Sequence, residues 1–139
     1  MEHRARALYF LGPGKVELRE ETLVVESGKL LVRSSLIGIS HGTEMLAFRG
    51  QLPAGLEADA VLKSLAGSLD YPLKYGYVNV GAAADGRRVF AFFPHQDLFC
   101  VSPEELVELP QGLGFDDAVF LASMETALGV VHDAALRFG

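Results

Sequence analysis

The sequence predicts a mainly β domain followed by helices. Short apolar or alternating runs, separated by glycine, proline and aspartate turn signals, recur through most of the chain, which is typical of β-barrels. From Phe115 onwards, apolar residues instead recur at helical spacing. With 139 residues, the chain is long enough to enclose one core. We therefore predict a single open or closed β-barrel with helices appended after it.

Three strands and a short helix are predicted in the first part of the chain. Residues 5–11 are apolar and end at Gly12-Pro13-Gly14. Residues 16–23 alternate between apolar and charged side chains, which predicts a hairpin whose second strand has one solvent-exposed face. Residues 29–37 give the strongest strand signal, and a short helix up to Phe48 follows.

Residues 50–71 are harder to assign. Apolar side chains within residues 56–65 have helical spacing. Long connections without secondary structure often serve as lids or substrate walls. We favour a surface excursion that contains a short helix over a lid.

Three further strands and two helical segments are predicted after this excursion. The strands cover residues 75–81, 88–93 and 97–101, and the first two form a hairpin around Asp85-Gly86. Ser102-Pro103-Glu104-Glu105 has the signature of a helix start, with serine as the cap and acidic residues behind it. A longer helix in two pieces is predicted over 115–136.

Charge and cysteine content exclude several classes of function. The net charge is −6, and no lysine and arginine stripe offers the basic face that nonspecific nucleic-acid binding requires. Cys100 is the single cysteine, so an intrachain disulfide and a zinc cluster of several thiolates are both excluded. We interpret Cys100 as a core thiol. No signal peptide and no membrane-length apolar run is visible, so we expect a cytoplasmic protein without membrane contact.

The segment from Gly38 to Glu44 is the strongest candidate for a functional loop. It follows the strongest predicted strand and carries mostly small or polar residues, and loops at strand ends often hold functional side chains. Ser40, His41 and Glu44 are its candidate residues. A structural interpretation stays open, in which Ser40 caps the next helix and Glu44 favours the helix dipole.

Five pieces of sequence, in order, resemble one protein family. They are an opening hairpin, a strand that ends at Gly38-Ile39, the segment Gly76–Gly81, the turn Gly86-Arg87-Arg88-Val89, and the segment Ala122–Ala127. Together they resemble the N-terminal catalytic domain of the medium-chain dehydrogenase/reductases, the superfamily of zinc alcohol dehydrogenases and quinone oxidoreductases. The resemblance runs over residues 5–139 and implies a GroES-like twisted β-barrel. Within the superfamily, four segments are most similar to a branch that includes bacteriochlorophyllide-type dehydrogenases: Ile39–Glu44, Lys74–Tyr77, Phe93–Gln96 and Met124–Ala127.

The sequence departs from the zinc-binding members at the metal positions. Ser40 stands where those members have a cysteine ligand, Tyr77 stands in place of the histidine ligand, and no cysteine lies near Ala122. Zinc prefers thiolate, imidazole or carboxylate ligands. The resemblance therefore implies a barrel without the usual catalytic zinc. A metal held by His41, Glu44, His95 or Glu125 stays open if those side chains converge.

The resemblance also implies a reaction, namely hydride transfer on an alcohol, carbonyl or enone-type small molecule. The cofactor would be NAD or NADP, held mainly by a Rossmann domain whose glycine-rich turn is not found in this chain. We therefore expect residues 1–139 to be a catalytic domain truncated before that domain. Catalytic candidates on this basis are Ser40, His41, Glu44, Tyr77 and Glu125, with His95 as a further group, and cofactor contacts are expected at His41 and Thr126.

Two alternatives are left open. Each candidate has a structural interpretation; for example, Tyr77 suits a core aromatic whose hydroxyl bonds to the backbone. The whole chain also suits a stand-alone barrel that binds or assembles with a partner, or forms a homo-oligomer, through the apolar side of its last helix at Leu121, Leu128 and Val131.

Overall fold

A computed structural model describes residues 2–53 and 68–134 of the chain. These residues form eight strands and three α-helices. In chain order they are β1 (Glu2–Gly12), β2 (Lys15–Val24), β3 (Leu30–Gly38), α1 (Thr43–Arg49), β4 (Leu73–Lys74), β5 (Val78–Ala83), β6 (Arg88–Ala91), β7 (Leu98–Val101), β8 (Leu106–Glu108), α2 (Phe115–Ala118) and α3 (Leu121–Asp133). The main sheet curls strongly into a half-barrel, which confirms the prediction of a mainly β, GroES-like twisted barrel.

The smaller sheet has the strand order β2-β1-β4. β1 and β2 pair antiparallel along nearly their whole length, so the predicted hairpin is confirmed. The prediction of one buried face on β2 is wrong, because Leu18 is 66% exposed and Val16 is exposed as well. β2 lies at the edge of its sheet. Its side chains alternate between the two faces of the strand, but neither face is buried against the core.

The larger sheet has the strand order β7-β3-β5-β6-β8, and all its pairs are antiparallel. The predicted β5–β6 hairpin is confirmed, with Gly86 at a φ of 91° in its turn. The predicted start of β5 at residue 75 is wrong, because the strand begins at Val78. Gly76 has a φ of 119°, and a Cβ there would lie 2.3 Å from Nε2 of His95. The chain therefore leaves the extended conformation to pass against the His95 ring.

The helix predicted from Ser102 is also wrong. Only a 3₁₀ turn forms, at Pro103–Glu105, with the Ser102 N–H donating to Glu105 Oε2 at 3.3 Å. The chain then enters β8, which pairs with β6. The two-piece helix predicted over 115–136 is confirmed as α2 and α3 as far as Ala134. Residues 135–136, and the helical spacing within 56–65, lie outside the described residues.

The core consists of three apolar clusters. One fills the half-barrel around Phe99, against which the ring of Phe93 stacks at a centroid distance of 4.2 Å. A second lies between β5, β6 and the start of α3, around Phe90 and Ala122. The third joins α1 to β1 and β4 through Phe10, Ala47 and Leu73. Both faces of the β5–β6 pair are therefore buried, and α1 is packed against the smaller sheet.

Two further features bear on function. Cys100, predicted to be a core thiol, is only partly buried in β7, and that burial raises the pKa of the thiol.

Beyond Ala122, the side chains of α3 are exposed, Leu128 by 53%. No helix in residues 2–53 and 68–134 is long and apolar enough to cross a membrane.

Candidate functional site

Ser40 lies in the loop between the end of β3 and the first turn of α1. Its Oγ accepts hydrogen bonds from the backbone N–H groups of Gly42 at 3.1 Å and Thr43 at 3.2 Å. Thr43 is the first residue of α1, so the Ser40 oxygen satisfies a donor that the helix itself leaves free. The capping interpretation of Ser40 is therefore supported, with the serine two residues before the N-cap, Gly42.

Ser40 also lines an open cleft. One part of this cleft, of about 280 Å³, lies between the end of β3, the start of β5 and the α2–α3 junction, and it includes Ser40, Tyr77 and Ser123. The other part, of about 520 Å³, shares Tyr77 and Ser123. Its remaining walls come from α1, α3 and the residue just after β6: Thr43, Phe92, Ala122, Glu125 and Thr126. The two parts are neighbouring pockets that have Tyr77 and Ser123 in common, and we call them together the hydroxyl cleft.

A glycine explains why the two sides of the cleft approach each other. A Cβ at Gly38 would lie 2.9 Å from Val78 Cγ1 and 3.1 Å from Val119 Cγ2. The absence of a side chain lets β3 end directly against β5 and the α2–α3 junction. Ser40 and Tyr77, each close in sequence to one of these contacts, therefore reach the same cleft.

The structure brings four of the predicted site residues to the hydroxyl cleft: Ser40, Tyr77, Glu125 and Thr126. Thr126 has a structural contact as well, because its Oγ1 donates to the Ala122 carbonyl at 3.0 Å within α3. His41 is exposed on the loop and is not among the residues that line this cleft. The catalytic and cofactor roles of all these residues stay predictions.

Thr43, Phe92 and Ser123 are among the residues of the cleft that the sequence did not offer as candidates. Ser123 and Thr126 are three residues apart on a helix, so they share a face. Once Thr126 is a candidate, this spacing predicts that Ser123 faces the same site. Phe92 had no such signal, because nothing in the sequence distinguishes it from the neighbouring Phe93, which packs against a different core cluster.

Glu44 and His95 form a buried pair behind the loop. Glu44 is 1% exposed and His95 is 3% exposed, and His95 Nε2 lies 3.2 Å from Glu44 Oε1. The other two polar atoms of the pair, Glu44 Oε2 and His95 Nδ1, have no hydrogen-bond partner among the described residues. Glu44 is not among the residues that line the hydroxyl cleft, and its catalytic role also stays a prediction.

The loop that follows His95 is anchored to β1. Asp97 accepts hydrogen bonds from the Arg6 backbone N–H at 2.7 Å and from Arg6 Nε at 3.0 Å. Burial alone would raise the pKa of Asp97, but these hydrogen bonds and the positive charge of Arg6 outweigh it and lower that pKa.

Tyr9 lies on β1 as well. The hydrogen bond from its hydroxyl to Glu21 raises the pKa of Tyr9 to about 12.

The resemblance to zinc-binding dehydrogenases predicts metal positions at Ser40, Tyr77 and near Ala122, and the side chains there do not fit zinc. A serine hydroxyl, a phenol and a methyl group occur at Ser40, Tyr77 and Ala122, in place of the thiolate or imidazole ligands that zinc prefers. Of the residues proposed above for another metal, Glu44 and His95 converge. Within residues 2–53 and 68–134, no group of three or more histidine, cysteine or acidic side chains is placed to hold a metal ion. Absence of zinc from the protein stays a prediction.

Solved structures share this fold. The quinone oxidoreductase from Thermus thermophilus, solved alone and with NADPH, has a TM-score of 0.72 and 24% identity over 96% of this chain. The quinone oxidoreductase from Coxiella burnetii has a TM-score of 0.68 and 20% identity over 99% of this chain. A probable oxidoreductase from Mycobacterium abscessus has a TM-score of 0.72 and 19% identity over 99% of this chain.

The chain therefore shares its fold with one part of each of these oxidoreductases. The resemblance to the medium-chain dehydrogenase/reductases is thereby confirmed at the level of fold. The chain spans less than half of each of these structures, namely 42%, 47% and 46% of their lengths in the order given. No protein-family model and no curated protein sequence matches it.

Proposed function

We propose that this chain is the catalytic-domain portion of an NAD(P)-dependent oxidoreductase that acts on a carbonyl or enone-type small molecule, without the usual catalytic zinc. The observation that carries the proposal is the hydroxyl cleft, in which Ser40, Tyr77 and Ser123 line one continuous space. By the resemblance, zinc-binding relatives hold their metal at the positions of Ser40 and Tyr77. The fold shared with quinone oxidoreductases supports the same reaction class.

The hydroxyl groups supply what a metal would otherwise supply. Hydrogen-bond donors aimed at a substrate oxygen stabilise the negative charge that develops there during reduction. Ser40 Oγ already accepts two N–H groups, so its own proton is free to donate to a third atom. Tyr77 is the second donor. Glu125 also lines the cleft and is exposed to solvent.

A nicotinamide cofactor would supply the hydride, as that chemistry belongs to the cofactor. The wider part of the cleft suits an aromatic ring, because Phe92 offers an apolar wall beside the hydroxyls of Thr43 and Thr126. We propose that the rest of the cofactor is held by a domain outside this chain, since the similar structures are about twice as long. The choice between NAD and NADP belongs to that domain. We also propose that the protein acts in the cytoplasm.

The test begins with the gene beyond the codon for Gly139. The full-length product is then assayed with NADH and with NADPH against quinones, enones and aldehydes. Oxidation of either cofactor that depends on one of these substrates supports the proposal, and its absence with all of them contradicts it. Metal analysis after dialysis tests the zinc-free part separately, because zinc at one atom per chain would overturn that part alone.

A binding module is the second candidate, and the exposed apolar side of α3 favours it. Phe120, Met124, Leu128 and Val130 are all exposed. An apolar surface of this kind often marks a contact with another protein or a second copy. If the natural product ends at Gly139 and sediments as a dimer or larger species, this candidate is favoured. A product that continues into a dinucleotide-binding domain rules it out.

A further inference from the structure

The buried pair of Glu44 and His95 has no part in the chemistry proposed above. A buried carboxylate with a single partner costs stability, and each buried polar atom without a partner adds to that cost. Glu44 Oε2 and His95 Nδ1 are both in that position among the described residues. Because such a pair adds little net stability, a role in holding neighbouring segments in place is the better explanation for it.

The His95 end of the pair is fixed to the barrel. The His95 N–H donates to the Tyr75 carbonyl at 3.3 Å, and the His95 carbonyl accepts from the Leu8 N–H at 2.9 Å. Two residues earlier in the chain, the Phe93 carbonyl accepts from Nδ2 of the buried Asn79 at 2.6 Å. Gly76 passes directly against the imidazole ring. The ring therefore has a defined place relative to both sheets.

The Glu44 end lies in the first turn of α1. This turn continues from the Ser40 loop, whose Gly42 carbonyl accepts from the Leu46 N–H at 3.2 Å. The last turn of α1 is held by other contacts, because Ala47 is buried in an apolar cluster and the Phe48 carbonyl accepts from the Gly14 N–H at 2.7 Å. Loss of the Glu44–His95 contact would therefore release the first turn while the last turn stays in place.

We propose that Glu44 and His95 are positioning residues for the hydroxyl cleft, which tie the Ser40–Thr43 loop to the barrel. The path runs from the fixed His95 ring to Glu44, through the first turn of α1, to the Thr43 N–H and so to Ser40 Oγ. This inference deepens the proposed function, because the loop matters to catalysis only if Ser40 does. Its test needs no activity.

Hydrogen–deuterium exchange of the full-length protein, read by mass spectrometry of peptides, tests the proposal. Glu44→Leu removes the contact, whereas Glu44→Gln keeps an oxygen that accepts from His95. We expect Glu44→Leu to speed exchange over residues 39–46 about tenfold, with residues 78–91 of β5 and β6 changed less than about twofold. Glu44→Gln restores most of the protection. Glu104→Gln, at an exposed position outside both segments, serves as the control and changes neither of them.

Three results would overturn the proposal. They are unchanged exchange at 39–46 in Glu44→Leu, equal acceleration of both segments, and failure of Glu44→Gln to restore protection. If Glu44→Leu does not fold, the double variant Glu44→Leu/His95→Leu replaces it, because loss of both partners leaves no buried polar atom of the pair unpaired. The double variant is expected to show the same local acceleration, and wild-type protection of its loop would contradict the proposal. The measurement uses no substrate, so an inactive protein does not affect it.

Discussion

Ser40 and Tyr77 are the residues where sequence and structure agree best. Their positions in the family pattern predicted a shared site, and both line the hydroxyl cleft. Glu44 shows the limit of such reasoning. Its place in the loop suggested a catalytic group, but the structure turns the carboxylate inwards to His95, fifty-one positions further along the chain. A contact between residues so far apart leaves no trace in local sequence patterns.

Removal of the Ser40 hydroxyl tests its structural role. Ser40→Ala leaves the Gly42 and Thr43 N–H groups without their acceptor, which resembles the loss of a helix cap. We expect the free energy of unfolding to fall by about 1 kcal/mol in urea denaturation. Ser27→Ala, in an exposed turn, is the matched control. A loss no larger than that of the control would show that these hydrogen bonds contribute nothing.

Asp97 gives a prediction for the pH dependence of stability. Because its pKa is lowered in the folded state, Asp97 stabilises the protein above its unfolded pKa of about 4, and this contribution is lost as the pH falls through the lower, folded value. Asp97→Asn should therefore flatten the loss of stability below about pH 4, measured by urea denaturation at several pH values. Asp116→Asn, on the exposed face of α2, is the control. An unchanged acid limb in Asp97→Asn would contradict the assignment.

Among the secondary-structure elements, strands with strong turn and alternation patterns are predicted from the sequence. Elements whose position depends on contacts with distant residues are not. The β1–β2 and β5–β6 hairpins follow from turn residues and alternation. β8 was missed because Ser102-Pro103-Glu104-Glu105 has a helix signature, whereas pairing with β6 draws the next residues into the sheet. In the same way, the approach of the His95 ring delays the start of β5.

Gly76 allows this second effect to be measured. Gly76→Ala places a methyl group within 2.3 Å of a buried ring and strains a φ of 119°. Gly86→Ala strains a φ of 91°, but its Cβ meets open space. We expect Gly86→Ala to cost about 1 kcal/mol of the free energy of unfolding, as backbone strain alone does. Gly76→Ala should cost at least about 2 kcal/mol, since overpacking adds to the strain. Equal losses in urea denaturation would show that the ring does not constrain Gly76.

At the scale of the whole molecule, composition and turn spacing predicted the fold class, and the shared fold of solved oxidoreductases confirms it. The sequence does not settle whether the apolar side of α3 is covered or exposed. The sequence named an apolar side of this helix at Leu121, Leu128 and Val131. Leu121 packs against the core, whereas Leu128 and Val131 are exposed, Leu128 by 53%. Whether an apolar helix face is covered depends on which part of the protein lies opposite it. Helical periodicity carries no information about that.

The exposed side of α3 gives a prediction for the 139-residue chain expressed alone. Met124 and Leu128 are exposed and four residues apart on the helix, so they share a face. The double variant Met124→Lys/Leu128→Lys should bind less of a hydrophobic dye than the wild type, while its free energy of unfolding changes by less than about 0.5 kcal/mol. Val16→Lys, at an exposed apolar position on β2, is the control for charge. Dye binding equal to that of the wild type would show that this side of α3 is not the apolar surface.

The turnover of the full-length Tyr77→Phe variant tests whether a hydroxyl donor in the cleft takes part in the reaction. If the Tyr77 hydroxyl stabilises charge on the substrate oxygen, its loss should lower kcat by about 10²-fold and change KM far less. The ring itself remains, so packing in the hydroxyl cleft is preserved. A kcat equal to that of the wild type would remove Tyr77 from the reaction and contradict the proposal that hydroxyl donors in this cleft replace the metal.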